Sequence, residues 1–281
     1  MAEEYGDSAT SNAVFIPEIW SKEAIVARES TLILANIVMR YDQEVVEFGD
    51  TIHVPSVTNL VAEDITVATG VLEAQAPTTE TNKDILIDKW KGVVINLTDM
   101  LTVQSKQDLL KHYTAKMGYA LGQKLEQDLA ILGASLSQTV GTFNTELGDP
   151  DFRRSVQYLD DSRTPFSDRH YVIKPATKYT LLGIDKFVRY DAVAYPKGDS
   201  PVLKGEVGEI YGAKVHVTPE TYKTGNNTSN MLIHRSCLGL AVQRNIKSVQ
   251  FGKNGFSDRV GQSMLYGVLE MRDDQGCELR S

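Results

Sequence analysis

Long apolar runs are missing from this chain. No stretch of about eighteen uninterrupted apolar residues occurs, so the sequence offers no helix able to span a bilayer. Cysteine is scarce: Cys237 and Cys277, forty positions apart, are the whole supply. Two such thiols read as reduced side chains, with a single disulfide as the other arrangement, and no disulfide framework is available to replace a core. The first residues, MAEEYGDSATSNAV, lack the basic-then-apolar order of a secretory signal. Positive charge is also in deficit. The formal net charge is −8, the reverse of the clustered basic surface that a dedicated nucleic-acid binder needs to displace counterions from phosphates.

The patterns that carry reactions are missing as well. The five histidines (His53, His112, His170, His216 and His234) never stand three or four residues apart, and neither an H-E-x-x-H nor a C-x-x-C pattern occurs. There is no G-x-S-x-G elbow and no Walker-type phosphate loop. Gly205, Gly208 and Gly212 lack dinucleotide-binding spacing and read as turn glycines. His234-Arg235-Ser236-Cys237 places a thiol near an imidazole, but nothing identifies an oxyanion hole or a third orienting group. The doublets Asp160-Asp161 and Asp273-Asp274 read as solvated charges. No catalytic, cofactor-binding or metal-binding set is assigned, and the chain is not expected to be an enzyme or to need a cofactor.

What remains is an order of parts. With 281 residues, 42% of them hydrophobic, the chain can bury the core of one large domain or two small ones. Phe15-Ile16-Pro17-Glu18-Ile19-Trp20 opens an apolar-periodic run through Ile25, Leu32, Leu34 and Val38. That run suits either an arm anchored on a partner or a helix packed on its own core. A turn at Gly49-Asp50 enters a strand, Ile52–Val57, whose Ile52 and Val54 share one face. Strand character returns only at Ile85–Leu97. Hairpin connections usually have two to five residues, and long ones are functional or disordered. Here Val61, Ile65, Val67, Val71 and Leu72 among acids and threonines predict a long two-stranded arm. Such an arm is marginal alone and is expected to lie against a neighbour. Lys83, Lys89 and Lys91 on its returning strand read either as charges defending a strand edge or as contacts to an acidic adjacent surface.

The strongest local signal follows. Leu110, Tyr113, Met117, Leu121, Leu125, Leu129, Leu132 and Leu136 recur at steps of three or four, predicting one amphipathic helix over Ser105–Leu136 with Ser105 as N-cap. At about 1.5 Å per residue such a helix is about 45 Å long, a structural spine. Gly118, Gly122 and Gly133 within it imply close approach of a crossing element. Beyond it the sequence predicts helices at Phe152–Leu159 and Ala176–Leu182. Strands are predicted at His170–Lys174, around Val215 and Val217, and at Met231–Ile233, Leu240–Gln243, Ser248–Phe251 and Ser263–Met271. Asp191–Pro201 and Thr224–Asn230 read as polar loops, and the residues after Met271 as a polar tail.

FIPEIWSKE, FGDTIHVPSV, the spine helix, YVIKPATKYTLL, GEIYGAKVHVT and HRSCLGLAVQ, in that order from Phe15 to about Glu270, resemble the major capsid proteins of tailed bacteriophages. The resemblance implies the α+β, HK-ninety-seven-like fold in four parts. These are an N-terminal arm (1–47), an extended β-hairpin loop overlapping the adjacent subunit (48–98), a peripheral domain with the spine helix (99–148 and 252–281) and an axial α/β domain (149–251). Asp191–Pro201 and Thr224–Asn230 would then be axial loops. It also implies self-assembly through hexamers and pentamers into an icosahedral virion shell that encloses double-stranded DNA without reading its sequence. Assembly would take place in the host cytoplasm with a portal protein. Family members with an N-terminal scaffolding segment carry about a hundred residues that this chain does not have before Phe15, so a separate scaffolding protein is expected, and no covalent cross-links. The anchors expected at subunit contacts are Phe15, Ile16, Trp20, Lys83, Lys89, Trp90 and Lys91. Other readings are an encapsulin-type compartment of the same fold, or a small α/β enzyme.

Overall fold

The computed structural model describes residues 32–42, 49–56, 62, 65, 81–98, 109–184, 208–253 and 257–281. A short helix α1 (Leu34–Ile37) leads into a two-residue strand β1 (Met39–Arg40). Strands β2 (Thr51–Ser56) and β3 (Thr81–Leu86) pair antiparallel as a hairpin, and β4 (Lys89–Thr98) follows after two residues. Next come the long helix α2 (Leu109–Gly133), β5 (Thr139–Gly141), α3 (Asp149–Asp161), β6 (Arg169–Ile173) and α4 (Pro175–Leu182). Strands β7 (Glu209–Ile210), β8 (Ala213–Val217), β9 (Tyr222–Thr224) and β10 (Asn227–His234) precede two long ones, β11 (Leu238–Lys253) and β12 (Ser257–Glu270). A 3-10 turn at Asp273–Gln275 and strand β13 (Gly276–Arg280) finish the chain.

Two sheets carry the molecule. A four-stranded sheet runs β1-β11-β12-β4, and a seven-stranded sheet runs β5-β13-β10-β6-β8-β7 with β9 also on β10. Helix α2 joins them. Its Leu121, Leu125, Leu129 and Ala130 share one core with Val172, Met231 and Ile233 of the larger sheet and Leu240, Met264 and Tyr266 of the smaller. Helices α3 and α4 cover the opposite face of the larger sheet, where Phe152, Leu159 and Leu181 pack with Tyr171, Ile173, Leu232, Cys277 and Leu279.

The stripe predicted for the spine is buried at Met117, Leu121, Leu125 and Leu129, while Tyr113 is exposed. The helix ends at Gly133 rather than at Leu136, and the predicted cap Ser105 lies outside the described residues. The glycines do admit crossing neighbours. A Cβ at Gly133 would meet Met231 at 2.4 Å, and one at Gly122 would meet Leu32 at 2.6 Å.

Four sequence expectations need correction. The run Ile85–Leu97 is two strands: Ile87 and Asp88 separate the hairpin strand β3 from the sheet strand β4. The stretch Thr224–Asn230 is a tight turn at Gly225-Asn226 between paired strands, with Thr228, Ser229 and Asn230 buried. Its polarity is consumed internally. Asn230 Oδ1 accepts from the Lys174 backbone N–H at 2.8 Å, while its Nδ2 donates to the Leu279 carbonyl at 3.3 Å and the Ser281 hydroxyl at 3.1 Å. The polar tail holds a buried strand, β13, between β5 and β10, with Cys277 and Leu279 in the core. The strands predicted separately at Leu240–Gln243 and Ser248–Phe251 are one strand, β11, broken in register by bulges against β12.

Candidate assembly surfaces

Alternation along β4 decides what each of its side chains can touch. Lys89, Val93 and Leu97 turn toward α2, whereas Trp90 and Val94 point away and are 72% and 43% exposed. On that outer face Trp90, Val94 and Val249 border a shallow groove whose floor is kept low by Gly92 and Gly261. Arg244 lines it too, its Nη2 donating to the Ser263 hydroxyl at 3.0 Å. By the same alternation Arg244 and Lys247 of β11 and Arg259 of β12 share the Trp90 face, with no acid of these strands among them, whereas Lys89 and Lys91 fall on the other side, so this outer face is basic within an acidic chain.

The β2–β3 hairpin crosses the same face further along. Ile52 stands opposite Ile85 in register, and both are buried with Ile87 against Ala241 and Met271. The crossing is so close that a Cβ on Gly267 of β12 would lie 2.4 Å from the Leu86 carbonyl oxygen. On the hairpin's exposed side His53 Nδ1 and Asp84 Oδ1 are 2.6 Å apart. The hairpin root is thus fixed to the body by apolar packing and backbone proximity.

The sequence-predicted contact residues fall in different places. Phe15, Ile16 and Trp20 lie outside the described residues, as does the loop Asp191–Pro201. Lys83 is exposed on β3, as expected of the returning arm strand. Lys89 and Lys91 are on the sheet strand β4 instead. Lys89 is already engaged within its own chain: its Nζ sits 3.4 Å from Asp128 of α2. Asp128 is nearly buried, and burial works to raise its pKa. Hydrogen bonds from Lys124 and Tyr266, with the charge of Lys89, outweigh that and hold the carboxyl below its usual range. Of the predicted anchors among the described residues, Trp90 has the largest apolar side chain, and it is 72% exposed.

A residue not singled out from the sequence joins the N-terminal segment to the spine. Glu126 of α2 is fully buried, and its two carboxylate oxygens accept the Leu34 and Ala35 backbone N–H groups at 2.8 and 3.0 Å. Helix α1 has no side-chain cap of its own, so Glu126 fills that place from across the interface. A lone Glu in a helical stripe gives no signal of this in sequence.

The thiol and imidazole of the HRSC stretch do not form a nucleophile pair. His234 Nδ1 hydrogen-bonds the Ser236 hydroxyl at 2.7 Å, and burial, with nearby acids, pushes the Cys237 thiol far above its ordinary range. Both cysteines are free and buried. Burial likewise pushes Cys277 up to about 12. Among the described residues no cluster of three or more His, Cys, Asp or Glu could hold a metal ion.

No family model matches the sequence, and no curated protein matches it. Solved structures do. A chain from Mycobacterium phage Che8 is 21% identical with a TM-score of 0.81, over 94% of this chain and 97% of that one. A chain from the capsid of Cyanophage P-SCSP1u is 16% identical with a TM-score of 0.76, over 95% and 93%. One from the mature capsid of bacteriophage PhiM1 is 12% identical with a TM-score of 0.73, over 94% and 91%. The chain therefore has the α+β fold of phage capsid chains, shared along nearly its whole length.

Proposed function

We propose that this chain is the major capsid protein of a tailed bacteriophage, a structural subunit rather than an enzyme. It would assemble through hexamers and pentamers into an icosahedral shell around double-stranded DNA. The observation that carries this reading is the near-complete coverage, in both directions, of the match to capsid chains at TM-scores of 0.76 and 0.73. A catalytic domain grafted on the fold would leave part of one chain unmatched. In this reading 1–47 is the arm, 48–98 the extended loop, 99–148 with 252–281 the peripheral domain, and 149–251 the axial domain, with β4 and β11 joining β12 in one sheet and β5 and β13 joining β10 in the other across those bounds. Scaffolding and portal proteins would be its partners in the host cytoplasm.

The open face around Trp90 suits contact with a neighbouring subunit. Large aromatics dominate interface energies, and a basic apolar face favours an acidic apolar partner. Residues 57–80 have that composition: Glu63, Asp64, Glu73 and Glu80 stand among Val61, Ile65, Val71 and Leu72, with no Lys or Arg. Lys83 on the exposed hairpin, Lys91, and the apolar Phe15, Ile16 and Trp20 remain the other proposed contacts. Negative-stain microscopy of the purified protein, alone and with a scaffolding partner, tests the proposal. Closed particles or free hexamers and pentamers support it, and protected DNA inside particles separates a phage capsid from a protein-filled compartment. A small oligomer that never assembles overturns it.

A further inference from the structure

We propose that His170 and His216 form a two-imidazole site for a divalent transition-metal ion of the zinc, nickel and copper class. The two residues lie on neighbouring parallel strands, β6 and β8, in a register that sets His170 opposite Lys214 and Val172 opposite His216. They are thus two residues apart along the strands and share one face. His170 Nδ1 lies 3.1 Å from His216 Nε2, with the ring planes inclined by 38°. Two metal–nitrogen bonds of about 2.0–2.1 Å spanning that gap subtend roughly 95–100° at the ion. This lies between the cis angle of square or octahedral coordination and the tetrahedral angle, so the nitrogen separation suits one ion, and the rings, which now face each other across a hydrogen bond, turn to aim their lone pairs at it.

The surroundings favour the ligating form. Metals bind neutral imidazole. Burial, with the neighbouring His216, pulls the His170 pKa down to about 4, and burial lowers that of His216 as well. In the metal-free protein the facing nitrogens share one hydrogen bond. On binding, that proton moves to the far nitrogen of its own ring, freeing both lone pairs. The backbone that carries His170 is anchored, since Tyr171, Val172 and Ile173 beside it are fully buried. Water would complete the coordination. Lys214 opposes the ion, being an exposed cation in register with His170; Asp168, which acts on His170 with the opposite sign, favours it. His234 is the remaining titratable group acting on His170.

Zinc chloride titrated calorimetrically into the full chain, in a non-chelating buffer near neutral pH, should show one micromolar site. His170→Gln and His216→Gln should each weaken it by about tenfold or more, and His53→Gln should leave it unchanged. Lys214→Gln should tighten binding, more so at low salt. Binding only to the folded form should raise the melting temperature in step with free zinc. Electron paramagnetic resonance of one copper(II) equivalent on the unmutated protein should show two imidazole nitrogens, a readout independent of whether the variants fold. No saturable site, affinity unmoved by both histidine variants, or a copper spectrum with at most one imidazole overturns the proposal.

Discussion

Replacing Gly267 by alanine should loosen the β2–β3 hairpin from the body of the subunit. Elsewhere in a strand such a change removes unfolded-state entropy and stabilises by about 0.4–1 kcal/mol wherever the new methyl fits. At Gly267 it does not fit. The added carbon would meet the Leu86 carbonyl oxygen at 2.4 Å, the Leu86 carbonyl carbon at 3.0 Å and Ile85 Cγ2 at 3.2 Å. The obstacle is backbone, so no rotamer change relieves it. Reaching ordinary van der Waals contact requires the two strands to part by about 1 Å. That displacement falls on the buried Ile52, Ile85 and Ile87, and on the 2.7 Å bond from the Ile87 N–H to the Asp50 carbonyl. Overpacking of this kind costs about 1–3 kcal/mol. Gly92→Ala in β4 is the control: its Cβ would meet the Gln262 carbonyl oxygen at 3.3 Å, a clash the neighbour can relieve by a few tenths of an ångström. Urea denaturation of both variants, with hydrogen exchange across residues 81–87, reads the effect. A Gly267→Ala protein as stable as the parent and equally protected in the hairpin would refute the close-crossing argument.

The other predictions concern charge, acid and assembly. Glu126→Ala should destabilise by about 2 kcal/mol, because one buried and one part-buried N–H donor lose their acceptor, and Glu126→Gln should cost less; equal midpoints for parent and alanine variant would sink the capping role. Acid should weaken the fold in a defined window. With His170 titrating at about 4 when folded and near 6.5 when unfolded, the unfolded chain binds protons first, so stability is complete above about pH 7 and is lost as pH falls from 6.5 toward 4. Solvent screening of the half-buried rings limits this to on the order of 1 kcal/mol. The His170→Gln and His216→Gln double variant should flatten the profile there, while Asp128, held below its usual carboxylate range, acts only at stronger acid. Trp90→Ala should change stability by less than about 0.5 kcal/mol yet lower particle yield; an unfolded variant would instead make Trp90 a folding residue.

Legibility in the sequence followed the range of the interactions involved. The buried stripe Met117, Leu121, Leu125 and Leu129 was visible because helical burial imposes a period that needs no partner to be read. The strands at His170–Lys174 and around Val215 were visible for the same reason, with Pro175 marking the next helix start. The break between β3 and β4 was invisible, since strand-forming residues stand on both sides of Asp88 and no Pro or turn pair there marks a change of sheet. Asn227–Asn230 and Gly276–Arg280 misled in the same way. Polar side chains normally mark loops, but here the two strands satisfy each other, as where Ser229 donates to Glu278. His170 and His216 are 46 residues apart, and only the parallel register of β6 and β8 brings them together.

The amino-acid order by itself determined the long spine, the α+β character and the absence of recognised catalytic motifs, because periodicity and motif spacing are local properties. Tertiary structure alone decided that Lys89 is bound inward to Asp128 while Trp90, one residue on, faces outward. It alone decided that Glu126 caps a helix 92 residues earlier, and that Gly267 lies beneath the arm. Those outcomes depend on which surfaces meet across the two sheets. A side chain's burial and pairing are settled by its partners in space, and one-dimensional order does not contain them.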